Sequence, residues 1–201
     1  MRSALLDDDV VAFLAAQGHR TAIEFGKKLE HGEPPLLEWG ERPEYRPITA
    51  DGRPRIFVAK GGADWWRIRY QIAHEVFHWI CTPPGTFHWT HELLAVEVAV
   101  RAMDALGEAD YARRAMDDME VEAEQLPLHA MLTTPLDHHY PPGLHGRALM
   151  TGRQLIAAVG WEQLKRLAHG QPDVHAWFRA LQPAEQAAAE AVLGPPSSGW
   201  V

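Results

Sequence analysis

The sequence has a single cysteine, Cys81, among its 201 residues. One thiol excludes an intramolecular disulfide, and it also excludes a cage of several thiolates around a metal ion. Any metal held by this chain must therefore be bound by His, Asp or Glu. The twelve histidines provide an ample supply of such ligands.

The chain also lacks a cluster of basic residues. Nineteen Lys and Arg residues stand against 27 Asp and Glu residues, and the formal net charge is -8. A protein that binds a nucleic acid backbone needs a basic patch or stripe on its surface. Nucleic acid is therefore not an expected partner.

Long apolar runs are absent as well. No stretch of 18 apolar residues occurs, so no membrane-spanning helix is predicted and no membrane partner is expected. The N-terminal sequence MRSALLDDDVVAFLAAQG contains three aspartates where a signal peptide requires an uninterrupted apolar stretch. These features predict a cytoplasmic protein.

The apolar periodicity that is present predicts a mainly helical α+β fold with one small sheet. The run RIFVA, from Arg55 to Ala59, has the composition of a short strand, and a helix is predicted from Trp65 to about Cys81. Helical spacing also occurs at 10–16, 21–29, 90–107, 110–125, 145–159, 161–168, 173–181 and 183–193, with an irregular segment over 126–143. Gly107 suits a left-handed cap at the end of the helix that begins near residue 90.

The length suits one domain with a sizeable core. We predict that residues 1–201 form a single domain in three parts. Residues 1–54 form an N-terminal helical and irregular part, residues 55–107 form a metal-binding strand and helices, and residues 108–201 form a C-terminal helical subdomain. The small sheet is expected next to the helix predicted from Trp65 to Cys81.

That helix contains the segment HEVFH, from His74 to His78. Residues four apart on a helix lie about 40° apart around its axis and roughly 6 Å from each other, so both imidazoles face one ion. Glu75, next to His74, is close enough to touch a water on the metal without being a ligand, which is the position of a general base. The spacing therefore predicts a metal site with Glu75 beside it.

A catalytic zinc ion needs a third protein ligand, and two glutamates on the next predicted helix compete for that role. Glu92 shares a helix face with apolar residues only, so its side chain is expected to point inward. Glu97 lies about 140° away on a stripe with Arg101, and a solvated ion pair is expected for it. Because a buried carboxylate needs a cation, Glu92 is favoured as the ligand and Glu97 is the alternative.

Two stretches resemble a known class of enzymes. The segment PRIFVAKGGADWWRIRYQIAHEVFH resembles the compact gluzincin metallopeptidases typified by the ImmA and IrrE families, and the resemblance extends over about residues 55–106. The segment WTHELLA, residues 89–95, is similar to the Trp-x-x-Glu-x-x-Ala pattern that carries the third ligand in the large gluzincin aminopeptidases, where the glutamate corresponds to Glu92. The resemblance implies a zincin-like fold, bound Zn²⁺ and a zinc metallopeptidase that cleaves a peptide or a specific protein.

The segment HHYPPGLHGRALMTGRQLIAAVGWEQLKRLA is similar to the C-terminal helical subdomain of several gluzincin families. In those families a Tyr or His near this place faces the reacting carbonyl. By that resemblance Tyr140 and His145 are candidate catalytic residues, and His138 and His139 are further candidates for the same role.

Two other functions remain open from the sequence. One is a zinc-dependent amide hydrolase that acts on a small biosynthetic intermediate. The other is a non-catalytic regulatory or binding protein with a vestigial metal site, because a motif does not by itself establish turnover. If the strand Arg55–Ala59 borders the cleft, it is expected to pair with an extended peptide substrate.

Overall fold

A computed structural model describes residues 8–29, 34–59, 65–83, 88–133, 141–168, 172–196 and 200. These residues are predominantly helical and include one three-stranded sheet, which confirms the predicted α+β class. The elements are α1 (Asp8–Glu24), β1 (Leu36–Gly40), β2 (Glu44–Arg46), β3 (Arg55–Ala59), α2 (Trp65–Cys81), α3 (Trp89–Ala105), α4 (Ala109–Ala123), α5 (Leu128–Thr133), α6 (Leu144–Val159), α7 (Trp161–Lys165), α8 (Val174–Arg179) and α9 (Pro183–Leu193).

The chain comprises two compact units. Unit 1 is formed by Met1–Pro84 with Val98–Ala112, and unit 2 is formed by Gly85–Glu97 with Arg113–Val201. Helix α3 therefore supplies residues to both units. No helix in the described ranges is long and apolar enough to cross a membrane.

In unit 1, β3 is the central strand of the sheet. It pairs in parallel with β1, where Leu37 lies opposite Ile56, and in antiparallel fashion with β2, where Tyr45 lies opposite Ile56. The predicted strand Arg55–Ala59 is confirmed at both ends. The hypothesis that it pairs with a peptide is wrong for residues 55–57, because these pair with β1 on one edge and with β2 on the other.

Helices α1 and α2 bury apolar side chains against this sheet. The shared core consists of Val10, Leu14, Leu37, Ile56, Val58, Ile72 and Val76. At Gly18 of α1, an added Cβ would lie 2.7 Å from the Trp79 ring of α2, so this ring packs directly against the Gly18 backbone. The side-chain oxygen of Gln71 accepts a 2.8 Å hydrogen bond from the amide of Ala59, which links α2 to the end of β3.

In unit 2, the end of α4 packs closely against the start of α6. An added Cβ at Gly146 would collide with the backbone oxygen of Met119, so only glycine permits this approach. The guanidinium of Arg147 donates hydrogen bonds of 2.7 Å and 2.6 Å to the carbonyl oxygens of Leu126 and Ala123. These contacts hold the two helix ends together through backbone atoms.

Most helix predictions are confirmed. The predicted Trp65–Cys81 helix is α2, with the same bounds, and the predicted helix over 183–193 is α9. Helix α3 is followed by Gly107 with a φ of 79°, as its cap position predicts. Two segments differ from the prediction. The ranges 10–16 and 21–29 were predicted as separate helical stretches, whereas α1 is one helix over Asp8–Glu24. Helix α5 forms within the range 126–143, which was predicted to be irregular.

Candidate metal centre

Helix α2 carries the two histidines and the glutamate of HEVFH in its buried part. Every residue from Gln71 to His78 is buried, and the exposed fractions of His74, Glu75 and His78 are 8%, 5% and 9%. Their neighbours Ile72 and Val76 belong to the apolar core of unit 1. The polar groups of the motif therefore lie on a helix that is fixed by packing, within a largely water-free environment.

The two imidazoles face each other as their spacing predicts. Nε2 of His78 lies 3.1 Å from Nε2 of His74, and the ring centroids are 4.9 Å apart with an angle of 65° between the ring planes. Two nitrogens bound to one tetrahedral zinc ion at about 2.0–2.1 Å lie about 3.3 Å from each other. The observed separation is thus within a few tenths of an ångström of what a shared ion requires.

The other ring nitrogen of His78 is held by a hydroxyl. Nδ1 of His78 lies 3.0 Å from Oγ1 of Thr82, the residue that follows the end of α2. A ligand histidine commonly donates its second ring N–H to an oxygen, which fixes the tautomer and leaves the opposite nitrogen for the metal. Thr82 was not predicted from the sequence as a partner of His78, although its position four residues later in the chain was a signal for it.

Glu92 is the third member of the group. It lies in the first turn of α3 and is 2% exposed, so the prediction that it points inward is confirmed. One ligand atom from each of His74, His78 and Glu92 lies within 4.8 Å of the other two. This group can hold a metal ion. Two imidazoles and one carboxylate suit zinc and other divalent transition metals.

Glu97 differs from its prediction. It is 4% exposed, so the expectation of a solvated carboxylate is wrong. The reason is that every residue from Trp89 to Val100 is buried, and this part of α3 has no solvent face on which Glu97 could lie. Its carboxylate instead lies 3.5 Å from Nε of Arg153 on α6. Both glutamates are buried, and they are distinguished by their partners: histidines for Glu92 and an arginine for Glu97.

His145 lies next to the candidate ligand. Its Nε2 is 3.4 Å from Oε2 of Glu92, and its side chain is 43% exposed. His145 is in the first turn of α6. One part of its side chain is open to solvent while Nε2 is next to the buried Glu92 carboxylate. The other candidates for the oxyanion-stabilising role, Tyr140, His138 and His139, lie outside the described residues.

Cys81 ends α2 and takes no part in the group. The thiol is buried, and burial raises its pKa to about 12, because the charged thiolate is disfavoured away from water. The thiol therefore stays protonated at neutral pH, whereas a metal ligand must be a thiolate. This agrees with the expectation that any metal is bound by His, Asp or Glu.

The donor set fits a divalent cation chemically. Glu75 and Glu92 bring two carboxyl groups, both at most 5% exposed, to the neighbourhood of two imidazoles. Burying a carboxylate is costly unless positive charge compensates it, and a divalent cation would supply such charge. No family model, curated protein or solved structure matches this chain. The interpretation of the centre therefore rests on its own residues.

Proposed function

We propose that this protein is a zinc-dependent hydrolase, a metallopeptidase of the gluzincin type that cleaves a peptide or a specific protein. The observation that carries the proposal is the group His74, His78 and Glu92, whose ligand atoms lie within 4.8 Å of one another. Glu75 follows His74 on the same buried helix segment. Three protein donors are the number that catalytic zinc sites use, and they would leave a coordination position for water or substrate.

In this proposal, His74, His78 and Glu92 hold the zinc ion. Bound zinc would lower the pKa of a water molecule to near neutrality and polarise the substrate carbonyl. The hydroxyl of Thr82 holds the His78 ring in orientation through Nδ1. The packing of α2 into the core of unit 1 fixes the helix backbone from which both imidazoles project.

Glu75 acts as the general base. It removes a proton from the attacking water and passes the proton to the leaving amine. Its low exposure keeps bulk water away, and electrostatic interactions are stronger in such an environment. A carboxylate that carries a proton from one atom to the next needs a fixed position, which the packing of α2 provides.

Tyr140 and His145 are the proposed donors to the carbonyl oxygen as it gains negative charge. One hydrogen bond of this kind contributes about 3 kcal/mol to the stabilisation of the transition state. The partial exposure of His145 makes its ring accessible to a substrate, while its Nε2 remains next to Glu92.

A non-catalytic metal site is the second candidate, and the position of His145 is the observation that favours it. A structural zinc site is closed by four protein ligands, and His145 lies 3.4 Å from Glu92. If His145 were the fourth ligand, His145→Ala would lower zinc affinity as strongly as His74→Ala does. If His145 were only a donor to substrate, the variant would keep its zinc and lose turnover.

Metal analysis tests the first step. Purified protein is expected to contain about one zinc ion per chain by elemental mass spectrometry, and His74→Ala is expected to contain almost none. His19→Ala is the matched control, because His19 is exposed on α1 and is not a member of the group. Zinc content that is equal in all three proteins would reject the proposed ligands.

Hydrolysis tests the second step. Glu75→Gln is expected to keep one zinc ion and to cleave a peptide library about 100-fold more slowly or worse, since it cannot accept the proton. Mass spectrometry of the library products gives both the rate and the cleaved bonds. A Glu75→Gln protein with wild-type turnover would remove Glu75 from the role of base. Zinc-loaded wild-type protein that cleaves no peptide would reject the peptidase.

A further inference from the structure

A cavity of about 340 Å³ lies beside His145 in unit 2. It is lined by Glu122 and Gln125 and by the run from Pro141 to His145. This volume is within the range of about 300–1,000 Å³ that is typical of ligand-binding pockets. The neighbourhood of His145 can therefore accommodate a group as large as an amino acid side chain.

The walls of this cavity are built from fixed backbone. Gly143 has a φ of 81°, and an added Cβ there would collide with the carbonyl oxygen of Glu122, so the chain passes directly over the end of α4. Close by in the chain, Arg147 donates hydrogen bonds to the carbonyl oxygens of Leu126 and Ala123. Two further lining residues, Pro141 and Pro142, have backbone φ angles fixed by their rings. A binding site benefits from such rigidity, because little ordering is needed when a ligand enters.

The cavity has an acidic character. Glu122 contributes a carboxylate to its wall, and no Lys or Arg lines it within the described part of the chain. The described residues 115–133, which include the end of α4, contain five Asp and Glu residues and no Lys or Arg. The guanidinium that follows, that of Arg147, is hydrogen-bonded to backbone oxygens. The local field therefore favours a positively charged group.

The cavity and the Glu92 carboxylate have His145 as a common neighbour. His145 lines the cavity, and Nε2 of the same residue lies 3.4 Å from the Glu92 carboxylate. We propose that this cavity is the substrate subsite that takes a cationic group of the peptide, either a Lys or Arg side chain or a free amino terminus. This inference rests on the proposed peptidase function, and it specifies the chemical class of the substrate.

A binding experiment tests the subsite without hydrolysis. The probes are N-acetyl-lysine methylamide, which has only the side-chain ammonium, and alanine methylamide, which has only the free amino terminus. N-acetyl-norleucine methylamide is the neutral control of matched length. We expect one of the two cationic probes to shift the backbone amide resonances of Gly143 and His145 in NMR titrations, and the neutral probe to leave them unchanged. The responding probe identifies the source of the cation.

Two variants assign the effect to one carboxylate. Glu122→Gln is expected to raise the Kd of the responding probe about fivefold, the effect of losing one partly solvated charge pair. Glu124→Gln is the matched control, because it removes the same charge from an exposed position two residues away that does not line the cavity. Its Kd is expected to stay within about twofold of wild type. Circular dichroism verifies that both variants are folded.

Equal shifts with the norleucine derivative, or an unchanged Kd in Glu122→Gln, would overturn the proposed subsite. These results are separate from the fate of the peptidase, because the titration requires neither zinc nor turnover. Charge-selective binding without peptide cleavage would keep the subsite and reject the peptidase. Peptide cleavage with no preference for cationic residues and no probe binding would keep the peptidase and reject the subsite.

Discussion

The hydroxyl oxygen of Thr82 lies 3.0 Å from Nδ1 of His78, while Nε2 of the same ring lies 3.1 Å from Nε2 of His74. The His78 ring is therefore engaged on both nitrogens, one with a hydroxyl and one with the partner imidazole. A hydroxyl that accepts the Nδ1 proton leaves the Nε2 lone pair directed at the candidate metal position. Thr82 is thus expected to act on the metal through His78.

We predict that Thr82→Val lowers zinc affinity by about tenfold, the lower end of the range for loss of a group that orients a ligand. Valine keeps the shape of threonine and removes only the hydroxyl. Competition with a fluorescent zinc chelator measures the affinity. Thr82→Ser keeps the hydroxyl and is the matched control, with an expected affinity near that of wild type. An unchanged affinity in Thr82→Val would show that Thr82 does not orient the ring.

The two buried glutamates of α3 provide a direct comparison. Glu92→Gln is expected to lower zinc affinity by more than about 100-fold, because a ligand is lost rather than a residue that orients one. Glu97→Gln is expected to bind zinc nearly as wild type does, since its carboxylate lies by Arg153 and outside the ligand group. The same chelator competition measures both. The reverse order of affinities would identify Glu97 as the third ligand.

The Glu97→Gln variant also has a second, independent readout, the free energy of unfolding. It weakens a partly buried ion pair, so its free energy of unfolding is expected to fall by about 1 kcal/mol. Urea denaturation in the presence of a chelator separates this effect from metal binding.

The thiol of Cys81 predicts a pH dependence of stability. Burial raises its pKa from 9.0 to about 12 in the folded chain. The unfolded chain loses this proton first, so the contribution of Cys81 is complete below pH 9 and is lost as the pH rises toward 12. At pH 10.5 the lost stability is on the order of 2 kcal/mol.

The comparison with Cys81→Ala isolates this titration, because other groups titrate equally in both proteins. The difference between their free energies of unfolding is measured in urea at pH 8 and at pH 10.5. The advantage of the wild-type protein is expected to shrink by about 2 kcal/mol over that interval. A constant difference would mean that the thiol titrates alike in the folded and unfolded chains.

The contact of α6 with α4 predicts a large cost for a small substitution. In Gly146→Ala, the added methyl group would collide with the Met119 carbonyl oxygen, and the helix ends must separate. We expect a loss of about 3 kcal/mol in the free energy of unfolding. Gly107→Ala is the comparison: its φ is 79° but nothing lies within 4 Å, so a loss of about 1 kcal/mol is expected. Equal losses would indicate that the helices do not pack as described.

The sequence predicted those elements whose boundaries are marked by local chemistry. Helix α2 ends at the Thr82 and Pro83 stop, and α9 begins at Pro183, so both were located to the residue. Strand β1 was missed because it lies in a stretch without a clear apolar period, and β2 was missed because it has only three residues. Helix α5 is six residues long, which is too short for a clear helical period.

The sequence predicted the features of the candidate metal centre that follow from helical geometry, namely the directions in which side chains point. The spacing of His74 and His78 correctly predicted that their imidazoles meet, and the apolar face of α3 correctly predicted that Glu92 points inward. The interpretation of Glu97 failed because a helical wheel shows where a side chain points and not what covers it. The partners that decide its burial, such as Arg153, are 56 positions further along the chain.

Every residue of α3 from Trp89 to Val100 is enclosed by protein. An ordinary amphipathic helix tolerates lysine at the positions that face water, roughly every third or fourth residue. In a lysine scan of residues 89–100 of α3, tolerance to the substitution should therefore show no helical periodicity. Each substitution should reduce the yield of folded protein. The helix that carries Glu92 is therefore expected to tolerate few charged substitutions over residues 89–100.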